Sequence, residues 1–465
     1  MKTKNIFLFA LAALSLASCR RGDNLTVNPN QPLNATPGTM LTGVEANTTM
    51  NYEAGLARIS AIFMQYQSGC VAQSTAYDLY IMTASDMDNY WNGLYVGAMK
   101  NAKLLYTQYE GNYPWYAGIA KINMAINLGI ATQLWGDVPY SEAFNFDQGT
   151  NMPHMDLQSS LLANNGAIQT LLTQAIADLS TPASANQKTP GADDLIFGGS
   201  NTAWIKTAWV LKARYHNLLS NSDPIGSANS VLADLAGGMT SNADNCKTAH
   251  NNATDPNQWA AFQDGRGYNF ACQSLIDSMG NLTDPRTSWY FDTTGTSGAG
   301  PAGNPLGTTN GGATLGRYLY DVAAVAAGGS GEELPTPLVT YAEALFLQAE
   351  AQARLSQTAN AVISLNLAIQ ASVQDVTSGT NTGATIATKV SATVHQVITE
   401  KWKAMFAQPL EAYADYRRTG FPALKIRPGA ALNYIPKRFP TDLGESTANT
   451  NAVVYPLSQK VWFGL

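Results

Sequence analysis

Apolar residues recur at steps of three and four along most of the chain, and the steps group into helical pairs. Trp91, Leu94, Tyr95, Ala98, Ala102 and Leu105 form one such face. Gly111 and Pro114 interrupt it, and Ile119, Ile122, Ile126 and Ile130 resume the pattern. A second pair joins Leu161, Ile168, Leu172, Ala175 and Leu179 to Trp204, Ala208, Leu211, Tyr215 and Leu218. In a third, Ala342, Phe346, Ala349 and Ala353 offer a small-residue face to Val362, Leu365, Ile369, Val373 and Val376. The fourth runs from Val394, Ile398, Trp402 and Met405 to the stretch Leu410 to Arg418, closed by Gly420 and Pro422. Paired helices with alanine faces and short turns predict tetratricopeptide-like packing and a mainly α fold.

Residues 221–336 break the rhythm. They are rich in Gly, Asn, Asp, Thr and Pro, and the stretch from Gly295 to Gly316 has almost no periodicity. A loop that long inside a globular chain is usually functional or disordered. Trp259, Phe262, Tyr268, Trp289, Tyr290, Tyr318 and Tyr320 sit there among polar residues, which argues against plain disorder.

The N-terminus changes the picture more than the bulk composition does. Lys2 and Lys4 precede an apolar run from Ile6 to Ala17, then Leu16-Ala17-Ser18-Cys19. That is the order of a secretory signal, and it is too short for the ~20 apolar residues that span a bilayer. A cysteine at the first mature position accepts diacylglycerol, so residues 1–18 read as a lipoprotein signal and Cys19 as the lipidated residue. Residues 19–40, punctuated by Pro29 and Pro32, read as a tether, and 41–465 as one domain with a loop-rich insertion at about 221–336.

The chain has 27 basic and 33 acidic residues, a net charge of −6 that becomes more negative once Lys2 and Lys4 leave with the signal. Nothing basic enough for nucleic acid is present. Charged residues make up 13% of the chain, about half the usual ~25%, which suits uncharged ligands. Apart from Cys19, the cysteines are Cys70, Cys246 and Cys272. Cys246 and Cys272 fall in one loop-rich region and are either a disulfide or buried free thiols. His154, His216, His250 and His395 are scattered, with no spacing for a metal site or cofactor.

Ordered motifs now add a resemblance. They are Trp91-Asn92-Gly93-Leu94-Tyr95, Leu134-Trp135-Gly136-Asp137-Val138-Pro139-Tyr140-Ser141-Glu142-Ala143, and Asp284-Pro285-Arg286. Further along come Tyr341-Ala342-Glu343 through Ala349-Glu350-Ala351, Asp415-Tyr416-Arg417-Arg418-Thr419-Gly420-Phe421-Pro422, and Ile435-Pro436-Lys437-Arg438-Phe439-Pro440. Behind a lipoprotein signal, this set resembles the SusD/RagB-type nutrient-binding outer-membrane lipoproteins of Bacteroidetes. The resemblance implies four tetratricopeptide-like pairs supporting a loop-rich ligand-binding lobe. It also implies a SusC-like TonB-dependent transporter as partner, with the lipid-anchored protein as its hinged, surface-facing lid.

Most motif residues read as structural. In the Trp-Gly-Asp-x-Pro-Tyr motif, Gly136 can end a helix at positive φ and Pro139 prevents its continuation. Glu343 and Glu350 share a helix face ~10 Å apart along the axis, too far for a retaining glycosidase pair, and Arg354 stands at an ion-pair spacing from Glu350. Arg417 and Arg418 meet a helix C-terminus or an internal ion-pair network. No catalytic triad, nucleophile elbow or phosphate loop can be assembled.

Loop aromatics are the candidate binding residues, because a sugar ring pairs an apolar C–H face with a rim of hydroxyls. Tyr77, Tyr80, Trp289, Tyr290, Tyr318 and Tyr320 are the expected platform. The leading expectation is non-catalytic binding of an oligosaccharide or polysaccharide. The alternatives are a RagB-like peptide binder, a glycan-degrading lipoprotein enzyme, and an envelope scaffold that binds only protein.

Overall fold

A computed structural model describes residues 35–145, 149, 151–280, 283–291, 331–381 and 386–465. The signal, Cys19, the tether up to residue 34, the Gly295 to Gly316 stretch, Tyr318 and Tyr320 lie outside them. Helix α1 spans Pro37–Glu53, entered through proline at its first turn and capped by Thr36, whose hydroxyl accepts from the Thr39 amide. Helix α2 (Gly55–Phe63) follows after a break at Ala54.

The first predicted pair is present. Helical turns over Asp88–Asn92 and a π-helical stretch over Gly93–Met99 lead into α3 (Lys100–Tyr109). Trp91, Leu94, Ala98, Ala102 and Leu105 are buried as their spacing requires. Gly93 and Gly97 lie against Asn51 and Asn47 of α1, so a side chain at either position would collide with that helix. Helix α4 (Pro114–Trp135) is buried along almost its whole length. It is a central helix rather than an amphipathic one. Its polar residues are satisfied locally: Lys121 bridges Glu110 at 2.7 Å and Asp178 at 2.8 Å, and Asn127 bonds Thr48 and Asn51 of α1.

The second pair is α5 (Ala167–Leu179) with α6 (Asn201–Asn217). The segment read as loop-rich from 221 begins instead with a helix, α7 (Pro224–Leu235), capped by Asp223. Its Ala228 and Val231 pack with Ala213 of α6 and with Leu347 and Ala351 of α8 (Tyr341–Arg354). α7 therefore joins the second pair to the third. Helix α9 (Thr358–Val376) completes the third pair, and α10 (Val394–Ala404) with α11 (Pro409–Thr419) forms the fourth. Thr393 and Gln396 form a reciprocal capping box on α10, and Gly420 ends α11 at φ +74°.

Among the described residues, strands form only two-stranded antiparallel sheets: β1 (Gln67–Gly69) with β5 (Asn269–Ala271), β2 (Val138–Pro139) with β3 (Met155–Asp156), and β4 (Cys246–Thr248) with β6 (Thr336–Val339). The fold is mainly α, with tetratricopeptide-like helix pairs. Cys246 and Cys272 are buried free thiols and are not bonded to each other.

A buried network of charges crosses the last three pairs. Arg214 of α6 binds Glu343 of α8 and Glu411 of α11. Arg418 binds Glu350 and Asp415, Asp415 binds Lys401 at 2.8 Å, and Asn217 donates to Glu350 at 2.9 Å. Burial, only partly offset by Arg214, pushes Glu411 up to about 7, since one guanidinium serves two carboxylates. Burial alone would raise the Glu350 pKa, but Arg418 and Arg354 outweigh it and hold that carboxyl well below the usual range.

Removing one member of a buried pair leaves the other uncompensated, at a cost of about 3–5 kcal/mol. Glu350→Gln is therefore expected to lower the urea midpoint by an amount equivalent to about 3 kcal/mol at neutral pH. Because the folded pKa of Glu350 is depressed, its contribution is complete above the ordinary value of 4.5 and is lost as pH falls through the folded value. The gap between wild type and variant should thus close in acid. An unchanged midpoint at neutral pH would show that the network carries no stability.

Candidate ligand-binding site

Of the expected platform residues, Trp289 and Tyr77 present part of a ring to the surface and two others do not. Tyr80 is 3% exposed and packs edge-on against Phe63 at 5.7 Å. Its phenol is pushed by burial up to about 12. Tyr290 is 2% exposed and stacks on Phe406 at 4.4 Å. Rings enclosed this way have no face left for a ligand, so both belong to the core. Trp259 follows suit, buried with its indole donating to the Glu53 carbonyl, whereas Phe262 and Tyr268 are partly exposed and pack edge-on against each other. Polar sequence context marks where a ring sits along the chain, not whether it points outward.

Trp289 borders a cavity of about 140 Å³ whose other walls come from distant segments. Its short helix, Thr287–Tyr290, is positioned by the turn before it. There Arg286 is fully buried and pairs with Asp284 through two hydrogen bonds of 3.0 and 2.7 Å, then reaches Ser372 of α9 at 2.9 Å. Pro335 and Pro337 at β6 supply an apolar wall, and the α10–α11 turn closes another side with Met405 and Gln408. The polar wall is Asp375, near the end of α9. Its Oδ1 accepts from Lys247 of β4 at 2.6 Å and from Asn245 at 2.9 Å. Its Oδ2 takes no protein donor among the described residues. An aromatic edge beside a partly exposed ion pair with a spare acceptor suits one polar ring docked against an open wall. The volume is small beside the ~300–1,000 Å³ of enclosing ligand pockets.

Tyr77 stands elsewhere. It is half-buried, and burial, then Tyr90 and Asp86, raise its phenol well above the ordinary value. Neither Tyr77 nor Tyr80 lines the Trp289 cavity, so the described structure does not bring the two aromatic pairs together. Lys247 and Asp375 were not singled out from the sequence. They lie far apart along the chain and carry no motif, and only the β4–β6 pairing and the end of α9 bring them together.

The sequence matches the family model described as "Starch-binding associating with outer membrane" over residues 29–440. The chain belongs to the SusD-like family. A SusD/RagB family protein from Bacteroides thetaiotaomicron shares its fold at a TM-score of 0.73 and 22% identity, covering 92% of this chain and 99% of that one. A structure named as a chitin-binding protein matches at 0.73 and 21% identity, covering 92% and 100%. A chitin-binding SusD homolog from Flavobacterium johnsoniae matches at 0.73 and 19%, covering 88% and 94%. No curated protein matches the sequence.

In this SusD-like chain most of the motif residues are architectural. Gly136 ends α4 at φ +84°, and the Trp135 indole donates to the Pro440 carbonyl at 2.7 Å. Asp137 accepts from the Gln158 amide at 2.8 Å and from the Tyr455 hydroxyl at 3.0 Å. Glu343 and Glu350 are both enclosed and bound to arginines. Arg417 bonds backbone carbonyls of Gln133 and Tyr413 and lies over the Tyr413 ring at 3.8 Å. Among the described residues, no three His, Cys, Asp or Glu side chains are placed to hold a metal, and no helix is long and apolar enough to cross a membrane.

Proposed function

We propose that this SusD-like protein binds a neutral glycan without altering it and hands it to a SusC-like TonB-dependent transporter, over which it acts as a lid. The observation that carries the reading is the half-exposed Trp289 set beside Asp375 and Lys247 in one cavity. Stacking on an indole needs no charge on the ligand, and the spare Asp375 oxygen accepts from a ring hydroxyl. The family's description as starch-binding and the chitin-binding names of two structural neighbours support a glycan as ligand. Glycoside hydrolysis needs a converging carboxylate pair, whereas Asp375 is the one carboxylate among the cavity's described lining residues. Binding that favours substrate and transition state equally gives no rate enhancement.

Calorimetric titration with chitin and starch oligosaccharides tests this. Trp289→Ala should weaken binding by roughly 1–3 kcal/mol, the scale of a lost stacking platform, with the melting temperature unchanged. Tyr77→Ala should act in the same direction if longer glycans extend along the face. Affinity should be insensitive to salt, unlike charge-driven binding. Equal affinity of wild type and Trp289→Ala for every glycan bound would remove the cavity from the site, and cleavage of a bound glycan would remove the non-catalytic assignment.

The anchor belongs to the same proposal. Leu16-Ala17-Ser18-Cys19 is the basis for lipidation at Cys19, which holds the protein at the outer membrane, facing the cell surface. Cys19→Ala should move the protein to the soluble fraction; membrane retention of that variant would contradict lipid anchoring.

A further inference from the structure

A second cleft, of about 430 Å³, opens where the end of α4 meets the C-terminal segment. Gly136 and Asp137 form one wall, Arg438 another, and Tyr455, Lys460 and Trp462 the side contributed by the last residues of the chain. None of these residues lines the Trp289 cavity.

Arg438 is the anomaly in this cleft. It is 4% exposed, yet among the described residues its guanidinium makes no hydrogen bond and no ion pair. Its charge rests on the Tyr455 ring at 4.1 Å. Its Nη2 lies 2.9 Å from where a side chain on Gly136 would begin, so glycine there leaves room for it at the cleft wall. Burial pushes its pKa down to about 10, against the pull of Tyr455 and Asp137, so it stays charged at neutral pH. The other buried arginines of the helical frame have acceptors: Arg214, Arg286 and Arg418 pair with carboxylates, and Arg417 with backbone carbonyls. Asp137 hydrogen-bonds the Gln158 amide and the Tyr455 hydroxyl and acts on Arg438 through its charge alone. A guanidinium that lines a cleft without a hydrogen-bonded acceptor offers its planar fork to a charge-assisted, bidentate anion.

Two further features specify what carries that anion. Lys460, exposed on the rim, makes no ion pair among the described residues, so the described lining of the cleft carries two cations against one carboxylate, Asp137. Trp462 is 43% exposed although Val461 and Phe463 on either side are buried, and its amide is fixed by Gln158 at 2.6 Å. The backbone thus holds an indole out beside the cations. An apolar platform next to an anion-binding fork matches a sugar ring that bears an acidic group.

We propose that this cleft is a second glycan-binding site, selective for an acidic sugar residue whose anionic group pairs with Arg438 and Lys460 while its ring stacks on Trp462. The shared chemistry is an anion on a pyranose, supplied by a uronate carboxylate or an ester sulfate. The inference rests on the proposed glycan-binding role, but it uses different residues and a ligand of different charge.

The test titrates the full-length mature protein with oligogalacturonate, with its methyl ester and with a sulfated galactan. Oligogalacturonate should bind about tenfold more tightly than its methyl ester, the scale of one charge-assisted hydrogen-bonded pair. Trp462→Ala and Lys460→Gln, both at exposed positions, should each weaken it severalfold, and added salt should weaken it further. Arg438→Gln should abolish the preference for acid over ester. Should that buried substitution prevent folding, the two exposed variants decide alone. Binding of the sulfated galactan alone, with the same dependence on Trp462 and Lys460, would assign the anion to ester sulfate. Measurable binding of acid and ester with equal affinity, or binding untouched by both exposed variants, would overturn the proposal, as would failure of both acidic glycans to bind. Trp289→Ala separates the two sites: it should reduce binding of chitin or starch oligosaccharides and leave oligogalacturonate binding intact. Loss of one binding with retention of the other therefore shows which site has failed.

Discussion

Four carboxylates and three cations meet almost out of contact with water where α6, α8, α10 and α11 converge. Glu343, Glu350, Glu411 and Asp415 face Arg214, Lys401 and Arg418, all at most 7% exposed. Taking such charges out of water costs several kcal/mol per ion, and only the complete set offsets it. That makes the arrangement all-or-none: each helix must sit in register for its neighbours' charges to be matched. Small side chains bring the helices close enough for this to happen. Ala213, Ala228 and Ala351 bring α6, α7 and α8 together, and Ala342, Ala349 and Ala368 do the same for α8 and α9.

The proposed ligand surface takes its geometry from that frame. The cavity at Trp289 is bounded by the end of α9 and the turn between α10 and α11, and Gln408 in that turn also donates to the Leu338 carbonyl beside Arg214. The helix bearing Trp289 is pinned to α9 by Arg286. The cleft around Arg438 is braced differently, by the C-terminal segment. The Leu465 amide bonds the Arg417 carbonyl, and Asn221 holds the carbonyls of Arg418 and Phe463.

The pairs read from the sequence are those whose burial is written in apolar spacing. Leu365 and Ile369, or Ile398, Trp402 and Met405, are enclosed just as their three-and-four steps require. Helix α1 was not legible that way, because much of its buried face is polar: Glu45, Thr48, Thr49 and Asn51 are enclosed by bonding to partners far along the chain. Helix α7 was masked by Gly226, Ser227, Asn229 and Ser230, since a helix packed through alanines tolerates small polar residues between them. The carboxylates Glu343 and Glu350 were legible as structural, from spacing and the nearby Arg354. At the site, aromatic residues in polar loops located Trp289 but equally picked Tyr80 and Tyr290. Burial of a ring depends on what the rest of the chain packs over it, and Asp375 and Lys247 become neighbours only once β4, β6 and α9 are in place.

The proposal of a rigid helical frame that presents a preformed glycan surface makes a direct demand on backbone exchange. Hydrogen–deuterium exchange of the mature protein, with and without a saturating chitin oligosaccharide, reads it in one experiment. Slowed exchange should be confined to the cavity walls at 287–290, 334–340 and 372–378, while α6, α8 and α11 exchange equally slowly in both states. Protection that appears only on other surfaces, or a general slowing of the frame helices on binding, would contradict a preformed site held by the buried charge network.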